Sequence, residues 1–479
     1  MLVAPLVVTP AGLGVATAET RPHYGGTLRV MLQSAPDELE LPGSATAGDY
    51  WDLTRTLVLL GDTLVKLDAD GRPQPALALD WQSDPSARHW QFTLRRGVKF
   101  HDGVAASPAA IAPILGALHS NWNVRASADS ILIESDTPMP SLLAELALPR
   151  NLLLKRGANR LPVGTGAFVV AEWQPGKLLK LAANEASWAG RPFVDTVEII
   201  FGRALRDQAV ALELDKADVV EAAPQGAFAS QGRSASFVSL PVELLALVFT
   251  PNSKAREPRL REALASAINR TPIQSVLLKG AGEPAASILP NWMTGYSAVF
   301  SSEANPQRAR TLLSNWLSPA LNLSYDPRDP QAQLIAERIA LNAREVGIPV
   351  QVTLSAVADI RLLRVTLPSP DPGTSLVEAA RQLGLPQPTL AAAPRGNSLE
   401  DLYRAESGLL AGYAVIPLFH LPVASGASAR VRGWTPDPLG QWGGSGFSLA
   451  DLWLANPRLG ERGPADFGSP GRKPEAGSR

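Results

Sequence analysis

The chain has 479 residues, more than one compact core holds, so two or three domains are expected. Its 44 basic and 45 acidic residues leave a net charge of −1, which excludes the electrostatic footprint of a nucleic-acid binder. There is no cysteine, which excludes disulfides, thiolate metal sites, a cysteine nucleophile and a lipid-anchoring cysteine behind a leader.

Residues 1–20 are apolar, are interrupted by Pro5 and Pro10, and are too short to span a bilayer. Ala16-Thr17-Ala18 is a small-x-small cleavage pattern and predicts a secretory signal. No Lys or Arg precedes the apolar run, so a disordered apolar start stands as the alternative. The folded part opens on Gly25-Gly26-Thr27-Leu28-Arg29-Val30, read as a strand, and residues 33–42 leave it. A helix is expected over 51–60, stopped by Gly61, then a strand over 64–67 and a tight turn over 68–72. In 89–103, Trp90, Phe92 and Leu94 alternate with polar residues, the period of a half-buried strand. Arg96-Gly97 is read as its turn, with Val98 and Phe100 returning and Asp102-Gly103 closing a hairpin; His101 reads as a turn residue.

Ser107-Pro108 starts a helix with Ile111, Ile114, Leu115 and Leu118 on its apolar face, and Pro113 is expected to kink or shorten it. A strand is read over 127–133 and a helix over 141–147. In residues 163–201, Gly164-Thr165-Gly166 bends where a side chain would clash, and two strands flank the turn Gln174-Pro175-Gly176. A link with Trp188, Gly190 and Pro192 leads to a third, β-branched strand over 194–201. Read on its own, this is a β-rich lobe with turn glycines.

An amphipathic helix over 203–214, a strand over 243–252 and a helix over 258–270 follow. Residues 331–346 form a long helix stopped by Gly347, before a strand over 350–354, an α/β order. Ser398 with Asp401 caps a further helix, and residues 414–420 form a late strand. Residues 456–479 are rich in Gly, Pro and charge, and disorder is expected there.

No catalytic constellation emerges. Gly443-Gly444-Ser445-Gly446 lacks the glycine a nucleophile elbow needs at 447. Gly280-Ala281-Gly282 reads as a helix stop, not a dinucleotide loop, and the five histidines show no metal spacing. No cofactor is expected. Trp90, Trp173 and Trp188 are assigned to the core, while Trp51, Trp292 and Trp434 are free to stack on a ligand.

Several motifs together resemble solute-binding protein family 5, the oligopeptide- and dipeptide-binding type of periplasmic receptor serving ABC importers. They include the opening Gly25–Val30 strand, Pro75, Leu77, Ala78 and Trp81, and the 89–103 pattern. The densest set is Gly164, Thr165, Gly166, Phe168, Trp173, Gly176, Asn184, Trp188, Gly190 and Pro192. Residues 258–270, 305–313 and 414–420 extend the resemblance to roughly 25–440. The chain departs from the family at Ala109-Ala110, where acidic residues are usual, and at Asp215, where Gly is usual.

The resemblance implies an α/β, periplasmic-binding-protein type two-lobed fold (class II-like) with an extra inserted domain in the first lobe. The implied division is a signal over 1–20, a discontinuous first lobe over 25–45, 161–245 and 425–455, an inserted domain over 46–160, a second lobe over 246–424 and a tail over 456–479. It implies a monomeric, exported periplasmic receptor, not an enzyme, that closes on a small solute and docks on an ABC permease in the inner membrane. The ligand-binding residues expected are Gln33, Ser34, Trp51, Arg364, Thr366, Pro370, Asp371 and His420. In peptide binders an acidic residue a few positions before Asp-Pro holds the peptide amino terminus. Here Asp371-Pro372 follows Val365-Thr366-Leu367-Pro368-Ser369-Pro370, so the solute is expected not to be an unblocked peptide. The shortened second lobe keeps open a member that binds no solute and acts as a scaffold or sensor.

Overall fold

The computed structural model describes residues 22–39, 53–68, 70–157, 159–224, 234–296, 298–314, 316–329, 331–388, 390, 398–434, 437–440 and 449–455. The expected signal, Trp51, the glycine run at 443–446 and the tail lie outside them.

Two lobes of mixed α/β structure share one eleven-stranded sheet. The first lobe holds the strands Phe168–Gln174, Leu178–Ala183, Thr196–Ile200, Thr27–Met31 and Val219–Ala222, side by side in that order. Alternation decides which face is buried. Leu28, Val197 and Leu181 stand in one register row and Val30, Ile199 and Leu179 in the next. All six are fully buried, and each contributes about 1.5–3 kcal/mol by leaving water. The second lobe builds on Ile360–Thr366, Leu321–Ser324 and Val350–Thr353. The helix Ala332–Glu345 covers one face through Ile335, Ala336 and Ile339, and Pro372–Leu383 covers the other through Leu376, Ala379 and Ala380. Gly347 ends the former at φ 90, a left-handed conformation glycine takes without a Cβ clash.

The strands Ser234–Phe249 and Val415–Ser428 run through both lobes. Their first-lobe ends meet at Ser234–Val238 and Ala424–Ser428, and their second-lobe halves pair from Glu243 to Val248. Between these stretches Pro241 stands opposite Pro422, with register shifts on both sides. Neither proline has an N–H to give, so the ladder is weakest where the chain passes between lobes.

An inserted four-stranded antiparallel sheet, Ala78–Ser83, His89–Leu94, Ser130–Glu134 and Asn123–Ser127, has its own core around Phe92, Ile131, Ile133, Ile111 and Leu115. It touches the second lobe through Arg150, which pairs with Glu378. Glu378 is wholly buried and also accepts from Arg381 and Gln382.

Three local expectations change. The 89–103 stretch is not a hairpin: His89–Leu94 has Ala78–Ser83 on one edge and Ser130–Glu134 on the other, so no edge is left for a return strand. Val98 and Phe100 serve the core instead, and Lys99 makes a single bridge to Ala105. The strand read over 127–133 begins only at Ser130, because residues 127–130 make the turn of the Asn123–Ser127 and Ser130–Glu134 hairpin, with Ala128 at φ 49. Pro113 does not shorten the helix Pro108–Leu118, on whose exposed side it lies. Asp215, where family members carry glycine, adopts φ 55, the left-handed conformation that explains the usual choice.

Candidate functional site

A crevice of about 460 Å³ lies between the lobes. The exit of the Thr27–Met31 strand carries Gln33 and Ser34 into it, and the short helix at 53–57 supplies Arg55. Glu221 comes from the end of Val219–Ala222, and Glu243 from the long strand just past Pro241. The second lobe adds the loop from Tyr325 to Asp329 and the side chain of Arg364.

The polar groups of the walls form two linked networks. On the first lobe Arg55 Nη1 lies 3.2 Å from Glu221 Oε1, and Glu221 Oε2 accepts from the Gln33 N–H at 2.6 Å. The Gln208 side chain accepts from the Glu221 N–H at 2.8 Å. On the second lobe Arg364 Nη1 donates to Glu243 Oε2 at 2.8 Å, while its Nε and Nη2 donate to Asp329 Oδ2 at 3.2 and 2.8 Å. Desolvation pushes the Glu243 carboxyl above its ordinary range, against the pull of Arg364. Burial works against the Arg364 charge, but Asp329 and Glu243 outweigh it and hold the guanidinium protonated. Gln33 Nε2 donates across the crevice, from the first lobe to the second, to the Arg328 carbonyl at 3.2 Å.

This geometry can enclose a small molecule against charged walls; it does not assemble a nucleophile, base and acid. Among the described residues no group of three His, Cys, Asp or Glu is placed to hold a metal ion, and no helix is long and apolar enough to cross a membrane.

The family described as "Bacterial extracellular solute-binding proteins, family 5 Middle" matches residues 130–366. The nickel-binding periplasmic protein of Escherichia coli K12 is 26% identical over 337 residues, 60% of this chain and 64% of that protein. The probable di/tripeptide-binding protein 5 of Pseudomonas aeruginosa UCBPP-PA14 is 24% identical over 390 residues, 68% of this chain and 72% of that protein. The chain belongs to solute-binding protein family 5. That is a family of substrate-binding receptors, not of enzymes. The match thus spans a little under two thirds of the nickel-binding relative and somewhat more of the di/tripeptide-binding one. Among solved structures, the dipeptide-binding protein of Pseudoalteromonas sp. SM9913 in complex with Met-Leu superposes with TM-score 0.76 at 18% identity, covering 90% of this chain and 100% of that one. NikA of Staphylococcus aureus in complex with Ni(L-His)2 superposes with TM-score 0.74 at 16% identity, covering 89% and 99%. At these identities the likeness establishes the fold, the two-lobed periplasmic-binding-protein type.

In this family 5 protein, Gln33, Ser34 and Arg364 line the crevice. Thr366 is buried beyond it, its N–H and carbonyl both taken by the Gln382 side chain. Asp371 caps the helix Pro372–Leu383, accepting from the Thr374 N–H at 2.8 Å, and Pro370 lies against the turn at Gly71. His420 is 3% exposed, with Nε2 3.0 Å from the Ile288 carbonyl; burial drops its pKa to about 4, so the ring is a neutral donor. Trp292 donates to the Pro241 carbonyl at 2.8 Å, and Trp434 packs on the first-lobe core.

Most wall residues escaped the reading of the sequence, among them Arg55, Glu221, Glu243 and Asp329. The signal at Glu243 was a lone acid opening the apolar run Leu244–Phe249, a place where a charge persists only with a partner. For Asp329 it was a charged Asp-Pro-Arg-Asp loop between a strand and a helix.

Proposed function

We propose that this chain is the periplasmic receptor of an ABC importer, closing its lobes on a small solute and presenting it to the permease. The observation that carries this reading is the crevice walled by both lobes and bridged from Gln33 to Arg328. A solute that touches both walls favours the closed state over the open one, and that difference in affinity drives closure. The relatives support the same role with different cargo, one named for nickel and another for di- and tripeptides. Gln33, Ser34 and Arg364 are proposed as solute contacts, joined by Arg55, Glu221, Glu243 and Asp329.

A second reading is a member that binds no solute and acts as a scaffold or sensor. The pairing of Arg55 with Glu221, and of Arg364 with Glu243 and Asp329, favours it, because the wall charges already have protein partners. Mass spectrometry separates the two. Protein purified without denaturation from its native host is expected to release one small molecule in near-stoichiometric amount, which raises the melting temperature when added back. An empty crevice, with no thermal shift across peptides, sugars and metal chelates, would favour the scaffold.

A further inference from the structure

We propose that Arg150 and Glu378 form a latch outside the crevice, an ion pair that joins when the lobes close and sets how tightly they hold the solute. The proposal rests on the receptor reading, because it concerns the closing motion that reading requires.

The two residues belong to different halves of the molecule. Arg150 lies in the short turn Pro149–Asn151. On either side of it Leu146 and Leu153 pack in the core of the inserted sheet, and Leu152 packs in that of the first lobe. Glu378 lies on the helix Pro372–Leu383, whose Leu376, Ala379 and Ala380 pack in the second-lobe core. Neither residue lines the crevice. A second contact joins the same two parts, where Pro370 sits against the turn at Gly71. The segment 370–378 is therefore where the second lobe meets the inserted sheet, away from the proline-interrupted strands that carry the chain between the lobes at Pro241 and Pro422. A motion about those strands that parts the lobes parts this pair as well.

The chemistry suits a contact that must open. Arg150 Nη1 donates to the carboxylate of Glu378, which is wholly buried. Each partner also has a companion on its own side. Arg150 Nε donates to Glu145 Oε1 at 2.8 Å. Glu378 accepts from Arg381 Nη2 at 2.6 Å, one turn along its own helix, and from Gln382 Nε2 at 3.2 Å. Parting the pair thus leaves neither charge bare, the outcome that makes a broken buried ion pair costly. Glu145, Arg150, Glu378 and Arg381 alternate in sign, so these four groups balance when joined. Closing exchanges water at Arg150 and Glu378 for a charge-assisted hydrogen bond, one of the stronger kinds.

The latch adds to affinity without touching the solute. When the empty protein is mainly open, any factor by which the pair favours closure passes into the binding constant. When the empty protein is already closed, the same factor appears instead in how compact it is without solute. Gln382 ties the latch to the crevice strand: besides Glu378 it bonds the N–H and the carbonyl of Thr366, two residues from Arg364.

Calorimetric titration of stripped protein with the small molecule released by protein from the native host reads the first effect, and small-angle X-ray scattering of the empty proteins reads the second. Arg150→Gln and Glu378→Gln are each expected to weaken binding about tenfold, or to expand the empty protein, and the double variant to be no worse than either alone. Arg150→Lys, which keeps the charge, is expected to bind more tightly than Arg150→Gln. The melting temperature of empty Arg150→Gln should stay close to that of wild type, because Glu378 keeps its helix partners. That variant and Arg150→Lys carry the test if Glu378→Gln fails to fold. Affinity and compactness of Arg150→Gln equal to those of wild type, or losses that simply add in the double variant, would overturn the latch and leave the receptor reading standing. Native-host protein that yields no bound molecule would overturn the receptor reading instead, and the scattering of the empty proteins would then decide the latch alone.

Discussion

Replacing Gly164 by alanine is expected to cost about 3–5 kcal/mol, a large share of a typical folding free energy of about 5–15 kcal/mol. A Cβ at Gly164 would fall on the carbonyl oxygen of Leu60, with the Leu154 side chain beside it. That carbonyl cannot retreat, because it accepts from the Gly166 N–H at 2.9 Å. Gly166 is itself packed against the Leu59–Gly61 backbone. His101 holds the same corner: its N–H donates to the Gly164 carbonyl at 2.8 Å, and Nδ1 accepts from the Gly164 N–H at 3.3 Å. Nε2 then carries the ring proton and donates to the Gly166 carbonyl at 3.1 Å. The Gly-Thr-Gly motif is thus a backbone crossing between the first lobe and the inserted sheet. Gly408→Ala is the control. It lies on the exposed side of the helix Leu399–Leu410 with nothing within 4 Å of a new Cβ, and alanine there should stabilise by about 0.5–1 kcal/mol. Denaturant unfolding of both variants measures the contrast; equal stability of Gly164→Ala and wild type would refute the crossing.

The second large effect is a loss of stability in mild acid from His420. Its folded pKa of about 4 lies below the ordinary value of about 6.5 for an exposed histidine. Between those values the unfolded chain binds the proton that the folded chain refuses, so stability falls as pH drops through that window. The full loss is about 3 kcal/mol, reached near pH 4, and above about pH 7 the contribution is flat. Burial also lowers His101 and His119, which act in the same direction, and raises Glu243 and Glu406, which act oppositely. The comparison is therefore between wild type and His420→Gln, which keeps a donor for the Ile288 carbonyl without the titration. The difference between their unfolding free energies should shrink by about 3 kcal/mol from pH 7 to pH 4 in wild type's disfavour. A constant difference across that range would show that the ring is not held neutral.

What the sequence disclosed depends on whether a signal was local. The strands at 168–174, 178–183 and 196–200 were legible because alternation and turn residues act over a few positions. The Ser398 cap was legible for the same reason, and its oxygen accepts from the Asp401 N–H at 3.1 Å. The misread hairpin at 89–103 was not a failure of pattern. Its outcome was decided by Ala78–Ser83 and Ser130–Glu134 taking both edges of one strand, which no local window contains. The site divides the same way. Gln33 and Ser34 were expected from the resemblance, at the exit of the opening strand, and they line the crevice. Arg364 was expected from the resemblance, but its partners Glu243 and Asp329 lie 121 and 35 residues away and meet it only through the fold. His420 was a polar residue in an apolar strand, and burial against Ile288 rather than a ligand accounts for it.

The chain has no native cysteine, so spin labels can be placed at will, one on each lobe. Glu172→Cys and Glu337→Cys put them at exposed positions on the two halves, and pulsed electron–electron resonance reads the distance between them. On adding the solute extracted from the native host to stripped protein, a broad, longer distribution should collapse to a single shorter distance. An unchanged distribution at full occupancy would contradict a receptor that works by closing on its cargo.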